Sequence, residues 1–173
     1  GRMALSANLG YLLRKKLNDA AEKKFDIHDK ELKALEPLIQ LQKKLSAVPQ
    51  QNELLIELID TKDGHHLFVY PFEGRLVHEA MAALLAFRLS KIKPISFSIA
   101  MNDYGFELLC NQPITVDATL IKNILQTTNM ETDLFNSVNA TEMARRKFRD
   151  IAVIAGMVFQ GYPGDLQRPR HLH

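Results

Sequence analysis

The hydrophobic period changes twice within residues 65–109, HHLFVYPFEGRLVHEAMAALLAFRLSKIKPISFSIAMNDYGFELL, and no other stretch restricts the fold as strongly. His66 to Tyr70 is rich in aromatic and β-branched residues, as a strand requires. Arg75 to Leu89 then carries Leu76, Val77, Ala80, Leu84 and Phe87 at helical spacing with further alanines between them, which predicts a largely buried helix. After Pro94 the period becomes two: Ile95, Phe97, Ile99 and Met101 alternate with Ser96, Ser98 and Ala100, so successive side chains face opposite sides of a strand. Asn102 to Gly105 has turn chemistry, and Phe106 to Cys110 returns as a further strand.

Upstream, Glu53 to Asp60 is a second run of strand formers, joined to His66–Tyr70 by the turn residues Thr61, Lys62, Asp63 and Gly64. Two hairpins therefore flank one helix. The fold class this predicts is α+β, with a small, mostly antiparallel four-stranded sheet, a buried helix against one face, and helical N- and C-terminal segments.

Those segments follow from capping and spacing. Ser6 can cap a helix with Leu9, Leu12, Leu13, Leu17 and Ala20 on one face. Asp29 can cap a second, with Leu32, Leu35, Leu38, Ile39 and Leu45, where Pro37 predicts a kink or a restart. Ala47 to Asn52 reads as a linker. Beyond the sheet, Asp117–Gln126 and Glu131–Ser137 are short helical pieces, and Ala140–Gln160 is a longer one opened by a box of Asn139 and Glu142. Gly161 to Gly164 stops it, and the proline-broken end DLQRPRHLH is expected to be poorly ordered. The expected organisation is a helical segment over 1–48, an α+β core with its helices over 53–160, and a tail over 161–173.

A chain of 173 residues, 46% of them hydrophobic, suits one globular domain or two small ones. It has no run of about 18 apolar residues and no signal-peptide order at its start, so a cytoplasmic protein without a membrane partner is expected. The net charge of +2 is unevenly spread. Ten basic residues face six acidic ones in 1–50 (+4), five face eight in 51–110 (−3), and seven face six beyond (+1). The basic flanks suit either a polyanion or a solvated lysine-rich surface.

Candidate chemistry is sparse. His78 and Glu79 begin an HExx pattern, but the position that would carry the second zinc ligand is Ala82. His65 and His66 are adjacent on a strand and point to opposite faces, so they suit solvated or capping roles better than one metal. The lone Cys110 reads as a small core residue. Neither GxGxxG nor GxxxxGK[ST] occurs, and no Ser or Cys sits in a nucleophile elbow. Arg75 and Glu79 are spaced for an (i, i+4) pair, with a polar site at the sheet edge as the other reading. Tyr70, Phe72, Tyr104 and Tyr162 have the faces on which unpaired bases stack, and the same positions also suit rim packing. On the helix after Asn139, Glu142 can pair with Arg145 and Arg146, and Arg146 with Asp150. Arg149 has no acidic neighbour at three or four positions and follows Arg145 by one turn, a pair that suits a phosphate, an acidic partner or an ordinary solvated face.

Three phrases in order, HLFVYPFEGRLVHEAMAALLAFRLS, FSIAMNDYGFELL and NATEMARRKFRDIAVIAGMVFQGYPG, resemble the C-terminal part of the DEXH-box helicases related to the large helicase-related (Lhr) protein. Within them the resemblance is to the bacterial ligase-associated DNA damage response branch, and it spans nearly the whole chain. It implies the DEAD/H-associated domain that follows two motor domains and a winged helix. Such helicases are ATP-dependent, move 3′ to 5′ on single-stranded DNA and unwind duplexes, RNA:DNA hybrids included. ATP and Mg would belong to the parent's motor domains, and no catalytic residue, cofactor or metal is implied for this chain. The implied partners are single-stranded DNA and the parent's motor and winged-helix domains. Arg75, His78, Tyr104, Arg145, Arg146 and Arg149 lie in the matching phrases and are the expected strand contacts. The alternative is an interdomain or partner-docking scaffold that does not touch nucleic acid.

Overall fold

A computed structural model describes residues 6–22, 24 and 29–140. The chain divides into two units, Gly1–Leu134 and Phe135–His173, and the elements named below as α1–α4 and β1–β4 belong to the first.

Two helices come first. In α1 (Ala7–Ala21), the Ser6 hydroxyl accepts from the Leu9 N–H at 3.3 Å. In α2 (Lys30–Leu45), Asp29 accepts from the Leu32 N–H at 3.0 Å and also pairs with Lys16 of α1. Each cap supplies an acceptor to an amide that the helix leaves unpaired, an effect of about 1 kcal/mol. Glu31 at the start of α2 and Lys43 and Lys44 at its end complement the helix dipole. Ala20, Leu32 and Ile39, with Leu17 and Val48, form a small core between the two helices. Pro37 neither ends nor restarts α2, contrary to the restart its ring suggests. Pro37 and Lys33 are both exposed, so water can reach the carbonyl that proline leaves unpaired.

The sheet comprises β1 (Leu55–Thr61), β2 (Gly64–Tyr70), β3 (Ser98–Met101) and β4 (Phe106–Cys110), in the order β1-β2-β4-β3 with every pair antiparallel. Gly64 closes the first hairpin at φ +136°, and a Cβ there would lie 2.4 Å from the Cys110 carbonyl. Only glycine lets β2 and β4 approach at that point. Strand β3 starts later than the alternation from Ile95 predicts. Pro94 has no N–H to give the ladder, while Ile95 bonds back to the Lys93 carbonyl at 2.7 Å and remains buried.

Helix α3 (Arg75–Ile92) covers one face of the sheet. Its Ala82, Leu85 and Leu89 meet Leu67 and Val69 of β2 and Phe106 and Leu108 of β4. Ile124 of α4 (Ala118–Ile124) completes this core, and Asp117 caps α4 at the Leu120 N–H. Arg88 of α3 is buried and works as a latch. Its guanidinium donates to the carbonyls of Ile124 and Gln126 at 2.7 Å and of Thr128 at 3.0 Å, and to Asp133 at 2.9 Å. Residues 130–140 are helical in one run, so Asn139 lies inside a helix and does not open one. An interior asparagine costs only about 0.7 kcal/mol relative to alanine, too little to break the run. The expected helix over 140–160 and the tail over 161–173 fall almost wholly outside the described residues.

Candidate nucleic-acid interface

The loop that opens α3, Pro71 to Gly74, has unusual backbone geometry: Phe72 has φ 57° and Gly74 has φ 89°. A bulky side chain in the left-handed region costs about 1–2 kcal/mol and persists only where neighbours hold it. Here they do. The Phe72 N–H donates to the Tyr104 carbonyl at 3.1 Å, the Glu73 N–H donates to Nε2 of His78 at 3.1 Å, and Nδ1 of His78 donates to the Asn102 carbonyl at 2.7 Å. Because Nε2 accepts, the imidazole proton resides on Nδ1. Asn102 orders the facing turn by accepting from the amides of Tyr104 and Gly105 at 2.8 and 2.9 Å. From α1, Arg14 donates to the Pro71 carbonyl at 3.0 Å and to Glu73 at 2.6 Å.

The result is a rigid rim made of the α3 start and the β3–β4 turn. Tyr104 is 52% exposed and Leu76 79% exposed, while the rings of Phe72 and Tyr104 lie 6.4 Å apart. Arg75 is exposed and forms no ion pair among the described residues, so the (i, i+4) pair with Glu79 is not made. A cation left without a carboxylate suits a phosphate.

His78 has a different place from the one its phrase suggests. It is fully buried and both ring nitrogens are used inside the protein, so it holds the rim and has no nitrogen to offer a strand. The structure thus brings Arg75 and Tyr104 to one rim through His78. Arg145, Arg146, Arg149 and Tyr162 lie outside the described residues.

The sheet face turned away from α3 carries features that motif reading passed over. His66, Phe68 and Tyr70 alternate along β2, with ring centroids 5.7 and 6.4 Å apart and planes within 6° and 17° of parallel. Glu57 and Glu107 lie directly across from Phe68 on either side. Burial, with the Glu57 carboxylate beside it, pushes the Tyr70 hydroxyl up to about 12. The ladder follows from HHLFVY being a strand, which puts His66, Phe68 and Tyr70 on one face, but which face stays partly open depends on where α3 packs.

The paired histidines part as their strand positions require. His65 Nδ1 lies 2.6 Å from Asp60, whereas His66 meets Glu107 through Nδ1 and Thr61 through Nε2. Cys110 is buried, and its Sγ donates to the Gln112 carbonyl at 3.0 Å, in keeping with a small core residue. Ala82, at the position a zinc ligand would need, is core. Among the described residues no three His, Cys, Asp or Glu side chains converge as a metal site, and no helix is long and apolar enough to cross a membrane.

Residues 48–173 match the DEAD/H associated family. The chain is 32% identical over 142 residues to the ATP-dependent helicase Lhr-Core of Methanocaldococcus jannaschii, covering 80% of this chain and 16% of that protein. It is 27% identical over 141 residues to ATP-dependent helicase Lhr-Core protein 2 of Thermococcus barophilus, covering 82% of this chain and 16% of that one. The chain therefore spans about one sixth of the length of these relatives. The fold is similar to part of the Mycobacterium smegmatis helicase Lhr in a structure bound to ssDNA and AMP-PNP, with a TM-score of 0.63, 19% identity, and coverage of 80% of this chain and 19% of that one. The chain belongs to the DEAD/H associated family, and its relatives are Lhr-type helicases.

Proposed function

We propose that this chain is a non-motor accessory domain of an ATP-dependent 3′ to 5′ DNA helicase, which helps to hold the single-stranded tracking strand and braces the motor domains. The observation that carries this reading is the rim held by the buried His78 ring, whose hydrogen bonds order the backbone next to an exposed tyrosine and to an arginine that has no ion pair among the described residues. Phosphate attraction and base stacking are what a sequence-tolerant single-strand contact needs. Arg75 and Tyr104, with Arg145, Arg146 and Arg149, are the proposed contacts, and His78 is a positioning residue. ATP and Mg belong to the parent's motor domains, which supply the chemistry. A cytoplasmic setting in DNA repair goes with this reading, as do RNA:DNA hybrids reached through the parent.

The test is fluorescence anisotropy of a labelled single strand titrated with the chain from about 50 to about 300 mM salt. Affinity that falls with salt, and weakens in Arg75→Ala and Tyr104→Ala, supports the reading. No binding at low salt overturns it. A second reading, a docking scaffold that does not touch nucleic acid, draws on the exposed apolar residues of the N-terminal helices, among them Leu38 (63%) and Leu45 (75%). Its mark is association with separately expressed motor domains that survives rim substitutions.

A further inference from the structure

The geometry points to a second binding site, a groove on the sheet face turned away from α3 that takes the arginine side chain of a basic segment on a partner protein. The groove has a volume of about 300 Å³ and is lined by Phe68, Tyr70, Ala100, Tyr104, Gly105 and Glu107. It shares Tyr104 with the rim but differs from it in chemistry, taking a cation where the rim takes a phosphate, and it does not depend on the domain binding DNA.

Three features of the lining select the ligand. First, the sign of charge is negative: Glu107 lines the groove, Glu57 lies beyond Phe68 on the same sheet face, and no strand residue of this face is a lysine or arginine. A phosphate backbone laid here would meet carboxylates, whereas a cation meets complementary charge. Second, one acceptor is available. Glu107 uses Oε1 toward His66, and its other oxygen accepts no hydrogen bond among the described residues. Glu57 does not line the groove, and its Oε1 accepts from Gln42 Nε2 at 2.9 Å. Third, the walls are aromatic, and the floor is opened by a small side chain at Ala100, which pairs with Glu107 in the ladder.

A guanidinium uses all three at once. It is planar and weakly hydrated, stacks on aromatic faces, and directs fixed N–H donors at a carboxylate. An ammonium has the charge without the plane and holds its water more firmly, so lysine should be the poorer ligand. An unpaired base has the plane without the charge.

The test is an NMR titration of the isotope-labelled full chain with a blocked pentapeptide holding one arginine among glycines, and with its lysine counterpart. The expected result is saturable shifts centred on the amides of Phe68, Tyr70, Ala100 and Glu107, with the lysine peptide about tenfold weaker. Ala100→Leu, which fills the groove without removing a hydrogen bond, and Glu107→Gln should each abolish the shifts while leaving single-strand affinity intact. If Glu107→Gln perturbs the fold through His66, Ala100→Leu still decides the matter. No localised shift with the arginine peptide overturns the proposal. So does an equal response to lysine, a response that Ala100→Leu leaves in place, or a single strand that shifts these amides when the arginine peptide does not. Failure of DNA binding at the rim would leave this titration unaffected, so the two readings fail separately.

Discussion

Nδ1 of His78 donates a 2.7 Å hydrogen bond to the Asn102 carbonyl, and this one contact ties the first turn of α3 to the β3–β4 turn. With Nε2 accepting from the Glu73 amide, a single buried ring sets the geometry of both halves of the rim.

His78→Ala should destabilise the chain by about 2–4 kcal/mol, because it opens a cavity in place of a buried ring and leaves a part-buried amide and carbonyl without partners. Urea denaturation measures the loss, and hydrogen exchange should show the Phe72 and Glu73 amides opening first. Unchanged stability and unchanged exchange at these amides would show that the brace carries no weight.

Arg88→Met keeps much of the stem but removes the guanidinium that holds the carbonyls of Ile124, Gln126 and Thr128. A loss of about 3 kcal/mol is expected, since the buried Ile124 carbonyl and the part-buried carbonyls of Gln126 and Thr128 lose a charged donor together. Exchange protection should fall over residues 124–133 ahead of the sheet. A uniform fall across the whole domain would argue against a local latch.

The pH dependence follows from two shifts. Lys91 first, and then Arg88, hold the Asp133 carboxyl below its ordinary value of 3.8 against a desolvation that acts the other way. A carboxyl lowered in the folded state contributes stability above its unfolded value and loses it as pH falls through the folded one, so denaturation midpoints should drop below about pH 4. Asp133→Asn should flatten part of that acid limb. Tyr70 has the opposite sign. Its folded value of about 12 lies above the ordinary 10, so its contribution is complete below pH 10 and disappears between there and about 12. Tyrosinate absorbance should show one late-ionising tyrosine that moves earlier in Glu57→Gln, and no shift in that variant would refute the assigned neighbour.

Much of this fold was legible because it rests on local chemistry. Ser6, Asp29 and Asp117 cap the helices they precede, and the strand formers in FVY and the alternation in SIAM place β2 and β3. What escaped depends on partners distant in sequence. Nothing local to Arg88 announces carbonyls up to 40 positions away, and His78, polar and at a helix start, reads as a surface residue until Asn102 folds over it. Pro37 and Asn139 mislead in the same way: one is a local breaker signal and the other a local cap signal, and each stands within a helical run of the described residues. At the rim, Arg75 and Tyr104 were readable as residue types, but the missing pair with Glu79 was not, because spacing permits a salt bridge without requiring one.

On the proposed reading the rim contacts a single strand. The most direct measurement is anisotropy of a labelled single strand with the wild-type chain, Arg75→Ala and Tyr104→Ala across the salt series. Binding should weaken with salt, with a salt slope reduced by about 1 in Arg75→Ala and a loss of about 1–3 kcal/mol in Tyr104→Ala. Binding of equal strength and equal salt dependence in all three proteins, or no binding at the lowest salt, would contradict it.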